Sequence, residues 1–318
     1  MLTFGEISTN VAKILQRSED ESFKTDIGAW INIAHEYLYN IYDYWIELQD
    51  TYNFSTVDGT ESYFMPNYFG KPLRIYDLTN KKPLTIQTEE EYTDSNISNV
   101  ANAVEEASPS IIRFYGVSGS QVALSSSGSI VKVKSSSTAD VGKVVRIEGY
   151  IDSSLTIIDF ENITLGTPST TFVSGTKTFY QRPRSISKSG DTDGYITIAN
   201  SASATVAIMT SVDRVLRHKV AKIGRIPSQT NSMRILYKKR VLRLVNTYDY
   251  PFTDADGYLT YRAAALGVEQ EKEQPERSSF LNNMAQDELK AILVNQQSKL
   301  GPSFQHKMVS SFAQAHRS

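Results

Sequence analysis

The sequence predicts an α+β chain in which helices at the two ends bracket a long β-rich stretch. Three observations predict it. Apolar residues recur at helical spacing near both termini, they alternate in twos further in, and residues 116–212 carry 19 of the chain's 37 serines between short β-branched runs. At 318 residues, 40% hydrophobic and 21% charged, the chain has the length of about two domains and a composition that folds. Disordered, collagen-like and coiled-coil compositions are excluded.

Thr3-Phe4-Gly5-Glu6 reads as a capping box, and Leu2, Ile7, Val11, Ile14 and Leu15 continue at helical spacing to Arg17. A second helix is expected from Thr25-Asp26 to Leu48, with Ile27, Trp30, Ile31, Ala34, Leu38, Ile41, Trp45 and Leu48 on one stripe. The period then becomes two. Tyr52, Phe54 and Thr56 lead to Asp58-Gly59, and Tyr63 and Met65 follow it, which predicts a hairpin. A second hairpin is expected from Leu73–Tyr76 to Pro83–Ile86, then a weakly helical acidic stretch from Glu89 to Val104 and a strand from Ile111 to Tyr115.

Within 116–212, runs such as Ile130–Val133, Val144–Ile147, Leu155–Ile158, Asn162–Leu165, Thr171–Val173, Thr178–Tyr180, Tyr195–Ile198 and Thr205–Ile208 recur about every ten residues. Gly, Ser and Asp separate them, so the block reads as an independent β-sandwich. Val220–Ile226 and Met233–Val245 are expected strands. Tyr258–Glu273 and a segment opened by Pro275 and closed by Gly301-Pro302 are expected helices. The remainder, 303–318, holds Phe304, Met308, Val309 and Phe312 without a regular period and reads as a docking tail.

Charge is polarised behind a net value of −2. Residues 1–115 hold 8 basic and 18 acidic side chains, and 213–318 hold 17 and 10. Arg214 to Arg243 contains ten Lys and Arg residues and no acid, including Lys238, Lys239, Arg240 and Arg243. Such a run pairs with the acidic block of the same chain or a neighbour, or meets phosphates. The pI of 6.1 favours pairing.

Chemistry is sparse. With no cysteine there is no disulfide, thiolate ligand or cysteine nucleophile. His35-Glu36 opens a zinc-protease pattern, but Tyr39 stands at the second ligand position. Gly116–Ser120 lacks the closing glycine of a nucleophile elbow, and Gly70-Lys71 and Gly142-Lys143 lack a phosphate loop's Ser or Thr. Asp191–Gly194 and Asp254–Gly257 read as turns rather than calcium loops. The tyrosines at 37, 39, 42 and 44 flank an apolar stripe and read as an interface rim. No catalytic, cofactor or metal site is expected. The sequence also shows no run of about 20 apolar residues for a membrane helix and no signal peptide, so synthesis in the cytoplasm is expected.

Taken in order, several segments resemble the head-to-tail adaptor (connector) proteins of tailed bacteriophages. They are Trp30–Ala34, Phe54–Pro66, Leu73–Tyr76, Ile235–Lys239, Asn246–Pro251 and Ala263–Gly267. The middle block, with Val131–Ser137, Val145–Gly149 and Gly194–Ile198, is similar to the immunoglobulin-like insertions of some phage neck and tail proteins. The resemblance implies a helical adaptor core made by the N- and C-terminal helices with short β-hairpins, interrupted by an inserted immunoglobulin-like β-sandwich. The expected division is 1–115 and 213–302 for the core, 116–212 for the insertion and 303–318 for the tail. The implied role is that of a non-enzymatic virion protein of the neck, made in the host bacterial cytoplasm. It would form a dodecameric ring between the portal ring and a tail or nozzle protein. Double-stranded DNA would pass through its channel without sequence-specific binding, and no membrane is involved. Phe304, Met308, Val309 and Phe312, with Lys238, Lys239, Arg240 and Arg243, are the expected contacts to portal, tail or neighbouring subunit. A host-surface or glycan recognition module of a phage tail is the alternative, and a hydrolase with scattered Asp, Glu and Ser is a third.

Overall fold

The structure, a computed structural model, describes residues 1–16, 21–88, 91, 109–120, 122–224, 227–271 and 274–299. The stretch expected to be weakly helical, Glu89 to Val104, lies outside them apart from residue 91, as does the tail from 303. The chain divides into two compact units. One comprises residues 1–49 and those from Arg243 onward, the other Asp50–Leu242.

The first unit is helical. Helix α1 (Phe4–Leu15) opens on the capping box, with Thr3 Oγ1 accepting from Glu6 N at 3.3 Å and the Glu6 carboxylate accepting from Thr3 N at 2.8 Å. Helix α2 (Glu21–Ile41) is shorter than the apolar stripe suggests, because the chain turns after Ile41 and resumes as a 3₁₀ turn at Ile46–Leu48. Trp45 nevertheless remains buried, since its indole N–H reaches back to Leu38 O at 3.2 Å. Helices α3 (Asp256–Glu271) and α4 (Pro275–Lys299) complete the unit.

Helix α3 packs against each of the other three and buries Tyr258, Leu259, Ala263, Ala264, Ala265 and Val268. Its small residues permit the close approach. A Cβ added at Gly267 would lie 2.8 Å from Trp30 Cζ3 and 3.0 Å from Leu15 Cδ1.

His35, 2% exposed on α2, accepts through Nε2 from the Phe252 amide at 3.3 Å and faces the Phe252 ring. Burial pushes its pKa down to about 4 from the ordinary 6.5. The unfolded chain therefore takes up this proton at a higher pH than the folded one. Stability falls as pH drops from 6.5 to 4 and then levels off. At 1.36 kcal/mol per pKa unit the loss is about 3 kcal/mol. In urea titrations from pH 7 to 4, His35→Gln should lose correspondingly less stability than the native chain. Parallel curves for the two proteins would contradict this.

Among its described residues the second unit is built mainly of strands, with a 3₁₀ turn at Thr138–Asp140. Strands β1 (Gln49–Ser55), β15 (Ser232–Lys239), β3 (Phe69–Asp77) and β4 (Lys82–Pro83) form one four-stranded sheet in that order. Strands β2 (Ser62–Phe64), β14 (His218–Gly224), β6 (Ile111–Ser118) and β5 (Thr85–Ile86) form another. Their inward residues share one core, including Met65, Phe69, Ile75, Ile112, Ile223 and Ile235. Phe69 stacks on Tyr237 at 4.8 Å and on Phe114 at 5.2 Å between ring centroids.

The middle block forms a seven-stranded sheet of order β12-β11-β7-β10-β8-β9, with β13 also on β10. These strands are β7 (Ser129–Ser135), β8 (Val144–Tyr150), β9 (Ile158–Thr164), β10 (Val173–Lys188), β11 (Ile196–Ala199), β12 (Thr205–Met209) and β13 (Val215–Leu216). The first part of β10 pairs with β7 and the last with β8, and the register shifts between Tyr180 and Ser185. The sheet thereby bends around one core of Val131, Val133, Val145, Ile147, Phe179, Ile186, Ile196 and Ile198.

Beside that core lies a buried polar network. Asp140, fully buried, accepts from the Ser135 hydroxyl, Asp193 N at 2.8 Å and Gly194 N at 3.0 Å. Burial, the largest single influence, pushes its pKa upward. The hydrogen bonds and the Lys188 charge together outweigh it and hold the carboxyl below its usual range. Lys188 Nζ donates to Thr192 Oγ1 at 2.7 Å, Thr210 O at 2.8 Å and Ser211 O, and its own burial lowers its pKa to about 8.

The expected helical adaptor core is therefore overturned. Helices α1–α4 belong to the first unit, and the segments read as hairpins accessory to a helical core build sheets with a core of their own. Asp58-Gly59 does make a turn, with Gly59 at φ 69°. Yet β1 and β2 on either side of it join different sheets, one beside β15 and the other beside β14. Pairing was decided by apolar faces arriving from more than 150 residues downstream, which outweighs local turn chemistry. The immunoglobulin likeness of the middle block is not confirmed by this topology.

Candidate functional site

Of the eight residues expected to make partner contacts, Phe304, Met308, Val309 and Phe312 lie outside the described residues. The four basic ones differ in exposure. Lys238 is 1% exposed in β15 beside Lys71, Lys239 is half-buried, and Arg243 is exposed in the helical unit. Arg240 donates through Nη2 to Asp213 Oδ1 at 2.5 Å, a carboxylate whose side chain is 4% exposed, and to Asn67 at 3.4 Å.

Four members of the wider basic run have partners within the β unit. Lys222 meets Glu61 at 2.9 Å, Arg214 meets Asp191 at 3.2 Å, Arg234 donates to Asn53 at 3.0 Å and Lys219 to Gly70 O at 2.6 Å. One of these, Lys222–Glu61, joins the basic run to the acidic block. Such half-exposed pairs each contribute about 0–1 kcal/mol. The run orders the β unit's own surface more than it presents charge to a ligand.

The catalytic-looking motifs are absorbed by structure. Ser118 Oγ donates to Ser120 O at 2.9 Å, Asp191 pairs with Arg214, and Asp256 accepts from Leu2 N at 2.8 Å at the start of α3. His218, also buried, contacts Met65 O through Nδ1 at 2.9 Å. Among the described residues no three His, Asp or Glu side chains are grouped to hold a metal ion, and no helix is long and apolar enough to cross a membrane.

The helical unit also exposes apolar side chains. Ile33, Tyr37 and Ile41 recur every four residues on one flank of α2, each more than a third exposed. Tyr37 was legible in the sequence as a rim residue; Tyr42 proves buried, ringed by Tyr44 and Trp45.

A second feature was missed by composition and periodicity. The loop Asn246–Tyr250 raises Tyr248 to 84% and Tyr250 to 59% exposure. It is also pinned. Asp249 Oδ2 accepts from Val245 N at 2.7 Å and Asn246 N at 2.8 Å, and Phe4 N and Gly5 N donate to Asp249 O and Thr247 O at 2.8 and 3.0 Å. The Asn-x-x-Asp spacing of this side-chain-closed turn was the available signal. Arg243, Tyr248 and Tyr250 are exposed here and are of residue types enriched at protein interfaces.

The comparisons with known proteins agree with an assembly role. No curated protein matches the chain. Residues 2–127, from α1 through β6, match the family model of the SU10 adaptor protein, and this similarity supports an adaptor-type structural protein of a phage.

Proposed function

We propose that the chain is a head-to-tail adaptor of the virion neck, one copy of a homo-oligomeric ring that joins the portal to a tail or nozzle protein. Double-stranded DNA crosses its channel without sequence-specific contacts. The observation that carries the reading is the adaptor-family match over residues 2–127. The apolar flank of α2 and the pinned tyrosine loop support it, because a ring covers surfaces that a monomer leaves in water. In the same reading the block 116–212 is a separable body, and the tail 303–318 docks on the portal through Phe304, Met308, Val309 and Phe312. Burying each of these would contribute roughly 1.5–3 kcal/mol before ordering costs. Lys239 and Arg243 are the basic residues left at the surface for a neighbour.

Electron microscopy of the purified protein, with and without portal, tests the proposal. Rings with an open lumen that bind portal are expected, and a chain truncated after Pro302 should keep its fold and lose that binding. A monomer that ignores portal and binds host glycan would overturn the adaptor reading in favour of a recognition module. Undiminished binding by the truncated chain would sink the role of the tail.

A further inference from the structure

Between α1, α3 and α4 lies a pocket of about 460 Å³, within the roughly 300–1,000 Å³ typical of ligand sites. Leu2 and Ile14 give it apolar surface, Tyr261 an aromatic one, Asn10 an amide, and Lys13 a positive charge beside the carboxylates of Glu288 and Asp256. That mixture suits a group with a flat apolar body and a polar tip. Glu288 can accept from a phenol, and the Lys13 ammonium can sit over an aromatic face. Glu288 also lies close over the start of α3, where a Cβ on Gly257 would come within 2.7 Å of its Cδ, so the helix backbone itself leaves room for the carboxylate.

The same unit carries the matching knob. Tyr248 is 84% exposed on a loop already fixed by four backbone amides, so inserting its ring into a partner costs little ordering entropy. Knob and pocket use different residues of α1. Gly5 of α1 backs onto Thr247, whose Cβ is 3.1 Å from where a Gly5 Cβ would be, whereas Asn10, Lys13 and Ile14 line the pocket. At 3.6 residues per turn these three lie on average about 130° around α1 from Gly5. One copy's knob therefore meets another copy's pocket without using its own, and contacts of this kind run head to tail and close into rings.

We infer that Tyr248 of each copy seats in the pocket between α1, α3 and α4 of the next, with its hydroxyl on Glu288. The inference rests on the ring reading above, for which it names the contact between neighbours.

The absence of native cysteine makes the test direct. Lys13 and Tyr248 are both exposed, and the chain carrying Lys13→Cys and Tyr248→Cys together should, on mild oxidation, give a reducible ladder of dimers, trimers and higher species. Neither single variant should extend beyond dimer, and Lys13→Cys with Tyr195→Cys, another surface-exposed tyrosine, in the β unit, should give no ladder. Tyr248→Ala with an unchanged circular dichroism spectrum should weaken self-association by roughly 30-fold or more in sedimentation, as for an interface hot spot. Intact assembly without a ladder, together with an inert Tyr248→Ala, overturns the inference and leaves the ring standing. A chain that stays monomeric at all concentrations overturns both. Efficient dimers from Tyr248→Cys alone would mean that loops meet loops, which also overturns it.

Discussion

Asp140→Ala is expected to cost the middle block about 3–5 kcal/mol, the scale for removing one member of a buried charged network. The aspartate is fully buried and gathers three donors, the Ser135 hydroxyl and the amides of Asp193 and Gly194. Alanine would strand all three, each at about 1–3 kcal/mol when buried. The neighbouring chain cannot move in to compensate, because Gly194 is already so close that a Cβ would sit 2.5 Å from Ser136 Oγ. Asp140→Asn, which retains one acceptor, should fall between. The readout is clean. Both tryptophans, Trp30 and Trp45, belong to the helical unit, so their fluorescence follows that unit while circular dichroism also follows the strands. A lower urea midpoint by circular dichroism with an unmoved tryptophan transition is the expected pattern. An unchanged circular dichroism midpoint would refute the role given to Asp140.

The matching effect in the helical unit is Trp45→Ala, again about 3–5 kcal/mol. Trp45 is 0% exposed and sits edge-on to Tyr42 at 5.6 Å and to Phe252 at 5.4 Å. Its indole N–H closes the turn after α2 by donating to Leu38 O. Truncation removes the largest side chain of the contact and the tie that holds the 3₁₀ turn under α2. Trp45→Phe should cost clearly less, since it loses the hydrogen bond and part of the area but keeps an aromatic in place. Thermal melts followed at the remaining Trp30 separate the two. Equal midpoints for Ala and Phe would place the stabilisation elsewhere.

The helices were legible because their determinants are local. Thr3 and Glu6 cap α1, Pro275 begins α4, and the stripe from Ile27 to Leu38 faces inward as its spacing requires. Its continuation misled, because Trp45 and Leu48 are buried by a turn and a 3₁₀ segment that happen to keep the helical phase. The sheets were half legible. Most strand positions follow from alternation, but β10 read as two short runs, Thr171–Val173 and Thr178–Tyr180, whereas it is one strand from Val173 to Lys188 with Pro183 inside it. Pro183 is tolerated because it falls in the register shift between Tyr180 and Ser185, where the ladder is interrupted. Lys238 misled for a related reason. Met233, Ile235 and Tyr237 point inward, so alternation sends Lys238 to solvent, but shifts flanking Tyr237 and Lys238 bury both. The tyrosine loop was illegible to periodicity because its order comes from side-chain caps rather than from a repeating face.

The pairing of Ser118 with His218 in β6 and β14 bears on the order of folding. These residues stand side by side, yet the 99 residues between them form the whole middle block. Closing so long a flexible segment costs about 3 kcal/mol more than closing a four-residue turn. Once the middle block has folded, its ends are already drawn together, as the Gly119 N to Pro183 O bond at 3.0 Å and the Ile186–Leu216 pair record. The β6–β14 ladder then zips like a short hairpin. A ribosome delivers β6 first and β14 last of the three, so the emerging chain holds an unfinished sheet edge until the insertion matures. Folding of that block first would therefore lower the entropic cost of closing the β6–β14 ladder.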